Sequence, residues 1–184
     1  LVKQALSATS GYVKYVFGAA HSLSEASDPN QAFMDCSGFV GWSYMMSNID
    51  IGIKKWGCVP SASRFKELSN VEAIKLNDLK PGDIVSSGSH LGMFVGRDSA
   101  GRQMYVHSVG QGDSNTEESP GPGPSFNGSF PSILYAIRAK DFNDNLTWEG
   151  TPEAEWAEED PPRTGSISRA DETASKERNK ELAK

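Results

Sequence analysis

Apolar residues change their spacing along this chain, and the change falls near residue 80. Before that point, residues 1–9 and 36–46 carry apolar side chains at helical spacing. The second stretch is apolar on most sides, which is typical of a helix buried in the centre of a domain. A short helix is also predicted for residues 60–68, and the small polar residues 19–34 predict a loop. The first half of the chain is therefore predicted to be mainly helical.

After the turn signal at Lys80–Asp83, apolar and polar residues alternate as they do in strands. Strands are predicted at residues 84–85, 90–95, 103–109 and 133–139. Residues 110–130 are rich in Gly, Pro, Ser and Asn, and they predict a long exposed insertion. Helices followed by antiparallel strands predict an α+β domain, in which N-terminal helices pack on an antiparallel sheet or partial barrel.

The net charge of −6 is confined to one end of the chain. Residues 1–140 carry 12 basic and 12 acidic side chains, whereas residues 141–184 carry 6 and 12. We therefore predict a domain at 1–140 and an acidic, flexible linker or tail at 141–184. A neutral domain without a basic stripe argues against nucleic acid as the main partner, and no apolar run is long enough to enter a membrane as a span. The given sequence does not open on a basic region followed by an apolar stretch, so no signal peptide is visible in it.

Cys36 is the strongest candidate for a chemically active side chain. A thiol is a nucleophile only as the thiolate, and a helix start favours that anion. Cys36 lies in the first turn of the predicted central helix, directly after Asp35, a good capping residue. Gly38 would let another segment or a substrate approach closely, and the Cys36 N–H could bind an oxyanion. Cys58 lacks these features and is predicted to be a structural thiol.

Two of the three histidines are placed to act on such a thiol. His90 and His107 fall on predicted neighbouring strands, so an antiparallel hairpin would bring the two imidazoles together. One ring could then act as the base while the other orients it, as in other nucleophile, base and orienter sets. His21 falls in the polar loop.

Five blocks of sequence then carry a resemblance. They are Tyr15–Gly18, Asp35–Val40, Leu79–Val85, Ser89–Gly96 and Val106–Ser108. In this order they resemble the NlpC-type family of papain-like cysteine peptidases, which are peptidoglycan endopeptidases. A single Asp-Cys-Ser-Gly match would be weak, but five blocks in order are specific.

The resemblance implies a papain-like fold with the nucleophile at the start of the central helix. It assigns Cys36 as nucleophile, His90 as general base and His107 as the orienting residue. Four more positions match residues that line the site or bind substrate in the family: Tyr15, Asp35, Ser37 and Ser89. The family typically cuts the bond between γ-D-glutamyl and a diamino acid in cell-wall stem peptides, and no metal or organic cofactor is implied. The enzyme would act outside the cytoplasm, secreted or delivered by a larger polypeptide or assembly.

Other interpretations of the same residues remain open. Ala19 stands where the family usually has a second glycine, so the loop before Cys36 differs. The site could be an amidase or acyltransferase acting on another amide, or a degenerate module in a phage-tail or secretion assembly. Cys36, His90 and His107 could also bind zinc, although three scattered ligands are a weak signal.

Overall fold

The structure, a computed structural model, describes residues 1–10, 13–110, 123–127 and 130–140. Four α-helices lie in the first part of the chain: α1 (Val2–Ser7), α2 (Leu23–Ala26), α3 (Cys36–Met46) and α4 (Ile53–Trp56). Shorter 3₁₀ helices occupy Ala8–Ser10, Ala62–Glu67 and Leu76–Asp78. The predicted acidic tail, residues 141–184, lies outside the described residues.

Helix α3 is the central helix, and its limits are those that the sequence predicts. Asp35 is its N-cap, and the Asp35 carboxylate accepts a hydrogen bond from the Gly38 N–H. Residues 36–44 are all buried, as the apolar pattern on most sides of the helix requires. At its far end the Tyr44 hydroxyl donates to the Gly82 carbonyl, which joins α3 to the turn at the start of the sheet.

Six described strands form one antiparallel sheet: β1 (Val71–Ile74), β2 (Ile84–Ser86), β3 (Leu91–Arg97), β4 (Gln103–Val109), β5 (Gly123–Asn127) and β6 (Tyr135–Ala139). Their order across the sheet is β1-β6-β2-β3-β4-β5. The strands β3 and β4 form a hairpin, while β6 returns between β1 and β2. The prediction of an α+β domain with helices beside an antiparallel sheet is confirmed.

Apolar side chains cover both faces of the sheet. The larger cluster lies against the helices, and its strand members include Ile84, Leu91, Met93, Val95, Val106 and Ile137. Successive side chains of a strand point to opposite faces, and a smaller cluster collects the alternate residues Val85, Phe94, Tyr105 and Ala136. Because the central strands are covered on both sides, α3 packs against a rigid support formed by β3 and β4.

A buried ion pair fixes the turn that precedes β2. Arg138 on β6 donates two hydrogen bonds of 2.7 Å to the Asp83 carboxylate, which is fully buried. The Lys80 N–H donates to the same carboxylate at 2.7 Å. These bonds connect the Lys80–Asp83 turn to the neighbouring strand.

Several sequence predictions need correction. The short helices α2 and α4 and strand β1 were not predicted, and the helix expected at 60–68 is a 3₁₀ helix at Ala62–Glu67. The interval 110–130 is predicted to be a long exposed insertion, but β5 lies within it and pairs with β4, and residues 111–122 and 128–129 lie outside the described residues. The backbone hydrogen bonds between β4 and the edge strand β5 outweigh the weak strand propensity of the Gly and Pro residues in β5. In the described part of the chain, no helix combines the length and apolar character needed to cross a membrane.

Candidate active site

Cys36 is the first residue of α3, and it belongs to the larger buried cluster, which contains residues of both the helices and the sheet. The residue is 8% exposed and its thiol is not in a disulfide. Two residues earlier, the Met34 carbonyl accepts a hydrogen bond of 2.9 Å from the Ser108 hydroxyl on β4. Since Ser108 follows His107 directly, this bond brings the segment before Cys36 against the strand that carries His107.

His90 and His107 meet as the predicted hairpin requires. His90 lies immediately before β3, one residue outside the strand that was expected to include it, and His107 lies within β4. The His90 Nε2 atom is 2.8 Å from the His107 Nδ1 atom, a hydrogen-bond distance. The two rings are edge-on, with centroids 5.1 Å apart and planes at 74°. The His107 ring is buried, whereas His90 is half-buried, so His107 can hold the ring of His90 from the protein side.

Phe130 covers this histidine pair, and the sequence analysis missed it. Its ring centroid lies 5.4 Å from that of His90, 5.2 Å from His107 and 5.3 Å from Tyr105. Gly92 makes room for it, because a Cβ atom at residue 92 would lie 2.6 Å from the Phe130 ring. The aromatic ring therefore restrains both imidazoles and removes water from one side of them.

A second cluster of polar side chains lies at the start of α3, around the Asp35 carboxylate. His21 Nε2 is 2.9 Å from both carboxylate oxygens. The N–H groups of Gly18 and Gly38 donate to the same carboxylate at 2.9 and 2.7 Å. Ser37 Oγ is 3.2 Å from Asp35 Oδ1 and 3.1 Å from His21 Nε2. His21 was predicted only to lie in a polar loop, yet it is the main charged partner of the residue before Cys36.

Burial and pairing act in opposite directions on the titration of this cluster. Burial alone would lower the pKa of His21, but its hydrogen bond to Asp35 and the negative charge there raise the pKa above the usual value. Burial alone would raise the pKa of Asp35, but the His21 hydrogen bond and charge, with the two backbone N–H donors, lower it. Both shifts favour an ion pair between an imidazolium and a carboxylate.

The loop that carries Gly18 lies unusually close to α3. An added Cβ atom at Gly38 would be 2.1 Å from the Ala19 carbonyl oxygen. The prediction that Gly38 permits close approach of another segment is therefore confirmed. Ala20 continues the loop in the left-handed region with φ 63°, and the backbone N–H of Val59 donates to the His21 carbonyl at 2.8 Å. Residues 18–21 are thus held to the helix start by backbone and side-chain contacts.

A cysteine at a helix start, in a domain whose sheet brings two histidines into a hydrogen bond, is compatible with a cysteine hydrolase. A model of the NlpC/P60 family matches residues 10–122, more than half of the chain. The chain belongs to the NlpC/P60 family. This is a family of cysteine peptidases that act on the bacterial cell wall. No curated protein and no solved structure matches the chain.

Of the remaining predicted site residues of this NlpC/P60 protein, Tyr15 and Ser89 lie on loops, whereas Asp35 and Ser37 lie at the start of α3. Tyr15 is half-buried and packs on Gly110 at the end of β4, where an added Cβ atom would lie 2.6 Å from the tyrosine ring. Ser89 is exposed in the turn before His90. Asp35 and Ser37 are only 4% and 2% exposed. The direct role of these four residues in binding substrate stays a prediction.

Two further features of the NlpC/P60 domain bear on the alternatives. Cys58 is exposed and free, so it is not a buried packing residue, and the two cysteines form no disulfide. Among the described residues, no three His, Cys, Asp or Glu side chains come together as a candidate metal site. The arrangement of Cys36, His90 and His107 consequently gives no support to a zinc centre.

Proposed function

We propose that this chain cleaves the bond between γ-D-glutamyl and the diamino acid of cell-wall stem peptides, with Cys36 as the nucleophile. The observation that carries the proposal is the 2.8 Å bond between His90 and His107 on the strands that support α3. Membership of the NlpC/P60 family supports a wall peptide as substrate. The position of Cys36 at the start of α3 is the one that a papain-like peptidase needs. We further propose that the enzyme acts outside the cytoplasm, either secreted or delivered by a larger polypeptide or assembly.

The hydrogen bond between the two histidines determines which nitrogen of His90 does the chemistry. For His90 to accept a proton on Nδ1, its Nε2 must carry the hydrogen that is donated to His107 Nδ1. His107 is then the tautomer protonated on Nε2. His107 in this role fixes the rotation of the His90 ring and stabilises the imidazolium that forms during the reaction.

The reaction would proceed in two halves. His90 takes the proton of the Cys36 thiol, and the thiolate attacks the γ-carbonyl carbon of the glutamyl residue. The Cys36 N–H, at the start of α3, donates to the resulting oxyanion. His90 gives the proton to the leaving amine, the C–N bond breaks and a thioester remains. Water, deprotonated by His90, then attacks the thioester, releases the free carboxylate and restores the thiol.

The four predicted substrate-binding residues would contribute to binding of the stem peptide in two different ways. Tyr15 is half-buried and Ser89 is exposed, so we propose that both contact the peptide directly. Asp35 and Ser37 are nearly fully buried and lie within hydrogen-bond distance of His21. Because the charge of Asp35 is paired with that of His21, we propose that both residues bind the amine end of the peptide through hydrogen bonds rather than through net charge.

Digestion of purified cell wall tests the proposed function. Cys36→Ala should release no cleaved stem peptides, while the matched variant Cys58→Ala, at the exposed second thiol, should digest wall as the parent does. Mass spectrometry of the products should show new γ-D-glutamyl carboxylates and free diamino-acid amines. Digestion by Cys36→Ala would overturn the assignment of the nucleophile. If the parent leaves wall peptides intact but turns over another amide or ester, the substrate assignment is wrong and the amidase or acyltransferase alternative is correct.

A further inference from the structure

The charge at Asp35 presents a difficulty for any thiolate at Cys36. A helix start favours an anion because its N–H groups are unpaired and its dipole is positive there. The N-cap carboxylate of Asp35 already uses the Gly38 N–H, at 2.7 Å, and it adds a negative charge on the residue adjoining the thiol. A like charge at this range disfavours ionisation of the thiol. The cap that stabilises the helix would therefore weaken the nucleophile.

His21 lies where it offsets that charge. Its Nε2 atom bridges both carboxylate oxygens at 2.9 Å, and a backbone hydrogen bond with Val59 also favours the protonated ring. Only 26% of the His21 side chain and 6% of the Asp35 side chain are exposed, so water screens the pair weakly. This buried geometry favours a pair of opposite charges over a lone carboxylate.

We propose that His21 is a positioning residue for Cys36, because its positive charge cancels that of the Asp35 cap and so leaves the start of α3 favourable to a thiolate. The inference rests on the proposed function in taking Cys36 as the nucleophile. In this proposal the His21–Asp35 pair affects the reactivity of the Cys36 thiol, in addition to holding the loop against α3. The neighbouring ionisable groups do not replace His21: Glu25 on α2 is acidic, and its carboxylate accepts bonds from the Ser22 N–H and hydroxyl.

The two histidines of the sheet region, His90 and His107, are the proposed catalytic partners of Cys36. Both remain in every variant used below, so their effect on Cys36 is held constant. Cys58 is an exposed thiol whose backbone pairs with Ser22, next to His21, and it would also react with a thiol reagent. Cys58→Ser is therefore the background for all measurements.

The rate of Cys36 alkylation by iodoacetamide, followed from pH 4 to pH 10 in the full chain, tests the proposal. His21→Gln leaves the Asp35 charge uncompensated and should raise the pKa of Cys36 by on the order of one unit. Below that pKa the rate should fall about tenfold. The double variant His21→Gln/Asp35→Asn removes both charges and keeps a capping residue, so its pKa should return to that of the parent. A purely structural role predicts the opposite order, because the double variant has lost more native bonds.

Arg102→Gln is the matched control. It removes the basic partner of Asp98, which lies 2.5 Å from the exposed Arg102 in the β3–β4 turn, and it changes the net charge by the same amount. The pKa of Cys36 should not change in this variant, which separates a local effect from a change in total charge. Circular dichroism at each pH checks that every variant is folded.

Two results would overturn the proposal. The first is an unchanged pKa of Cys36 in folded His21→Gln, and the second is a double variant whose Cys36 pKa stays as high as that of the single one. Asp35→Asn alone gives an independent reading if His21→Gln does not fold, because loss of the carboxylate should not raise the pKa of Cys36. A raised pKa in that variant would also contradict the proposal. The alkylation assay needs no substrate, so these outcomes are independent of whether Cys36→Ala still digests wall.

Discussion

Replacing Gly38 with alanine tests most directly how the start of α3 is built. The new Cβ atom would lie 2.1 Å from the Ala19 carbonyl oxygen and 3.1 Å from the Ala20 Cβ atom. Real Cβ atoms essentially never come closer than 3.0 Å to another heavy atom. The obstructing atom belongs to the backbone, so no change of side-chain rotamer relieves the overlap. We therefore expect residues 18–20 to move away from the helix.

The expected loss of stability follows from three contributions. Alanine in place of glycine inside a helix stabilises by about 1 kcal/mol. Overpacking typically costs about 1–3 kcal/mol. Displacing the loop also lengthens the 2.9 Å hydrogen bond from Gly18 N–H to the Asp35 carboxylate, and a bond to a charged group contributes about 1.5–3 kcal/mol. We expect a net decrease of about 1.5–5 kcal/mol in the free energy of unfolding.

Activity should fall more steeply than stability alone would suggest. The displaced loop borders the residue before Cys36, and a misplacement of about 1 Å at a reacting group costs about 100-fold in rate. Urea denaturation measures the stability, and kcat/KM for release of wall peptides measures the activity. Both should be recorded where the variant is still folded.

Gly41 in the same helix supplies the control. An added Cβ atom there would lie 2.6 and 2.7 Å from the two methyl groups of Val59, which is a side-chain obstruction. Gly41→Ala should therefore lose stability, and Gly41→Ala/Val59→Ala should regain part of it, both with the kcat/KM of the parent. If Gly38→Ala has the urea midpoint and the kcat/KM of the parent, the reasoning about the loop is refuted. Equal activity losses at residues 38 and 41 would show that the effect is not specific to the site.

Three further predictions concern other parts of the domain. Phe130→Ala should lower kcat/KM because the ring restrains both site histidines, and it should destabilise the fold by about 2 kcal/mol, less than loss of a fully buried phenylalanine would. Leu134→Ala, at an exposed side chain, is the control, and equal kcat/KM in the two variants would contradict this role of Phe130. Arg138→Met should lower the free energy of unfolding in urea by about 3–5 kcal/mol, because it leaves the Asp83 carboxylate buried without its cation. A loss below about 1 kcal/mol would show that backbone donors are enough to stabilise the buried carboxylate. The pKa of His21 is raised and that of Asp35 is lowered, so their pair should stabilise the fold most between about pH 4 and pH 6.5, and less as the pH rises through the folded-state pKa of His21 or falls through that of Asp35. The unfolding free energies of the parent and of His21→Gln/Asp35→Asn should therefore differ most in that range. A difference that does not depend on pH would exclude the ion pair as the cause.

The parts of this site that the sequence predicts are those specified by local signals. A capping residue followed by a continuous apolar stretch predicts α3 with its observed limits. Alternating residues on either side of a short polar turn predict β3 and β4 as neighbours, and neighbouring antiparallel strands bring His90 and His107 together. No contact distant in sequence is needed for either prediction.

Within residues 110–130, the prediction of an insertion fails for Gly123–Asn127, where composition and backbone pairing disagree. Gly and Pro lower the propensity for a strand, but an edge strand needs only backbone bonds to its neighbour, and β5 obtains these from β4. Phe130, the last residue of the same interval, is a large apolar residue whose ring lies against the histidine pair. A phenylalanine within a polar, Gly-rich interval was the available signal, since a large apolar side chain tends to be buried.

The role of His21 was missed for a different reason. The small residues of the 19–34 interval indicated a loop, and a loop histidine is ordinarily solvated. Yet Ala19, Ala20 and Ala26 are 3%, 0% and 0% exposed, so these small side chains mark a segment pressed against α3. Close packing of this kind brings the loop backbone within reach of the Asp35 carboxylate, and a histidine on such a loop is then partly buried with it. In our proposal a cation compensates the carboxylate cap beside the thiol of Cys36, and the small residues of the loop allow His21 to supply that cation.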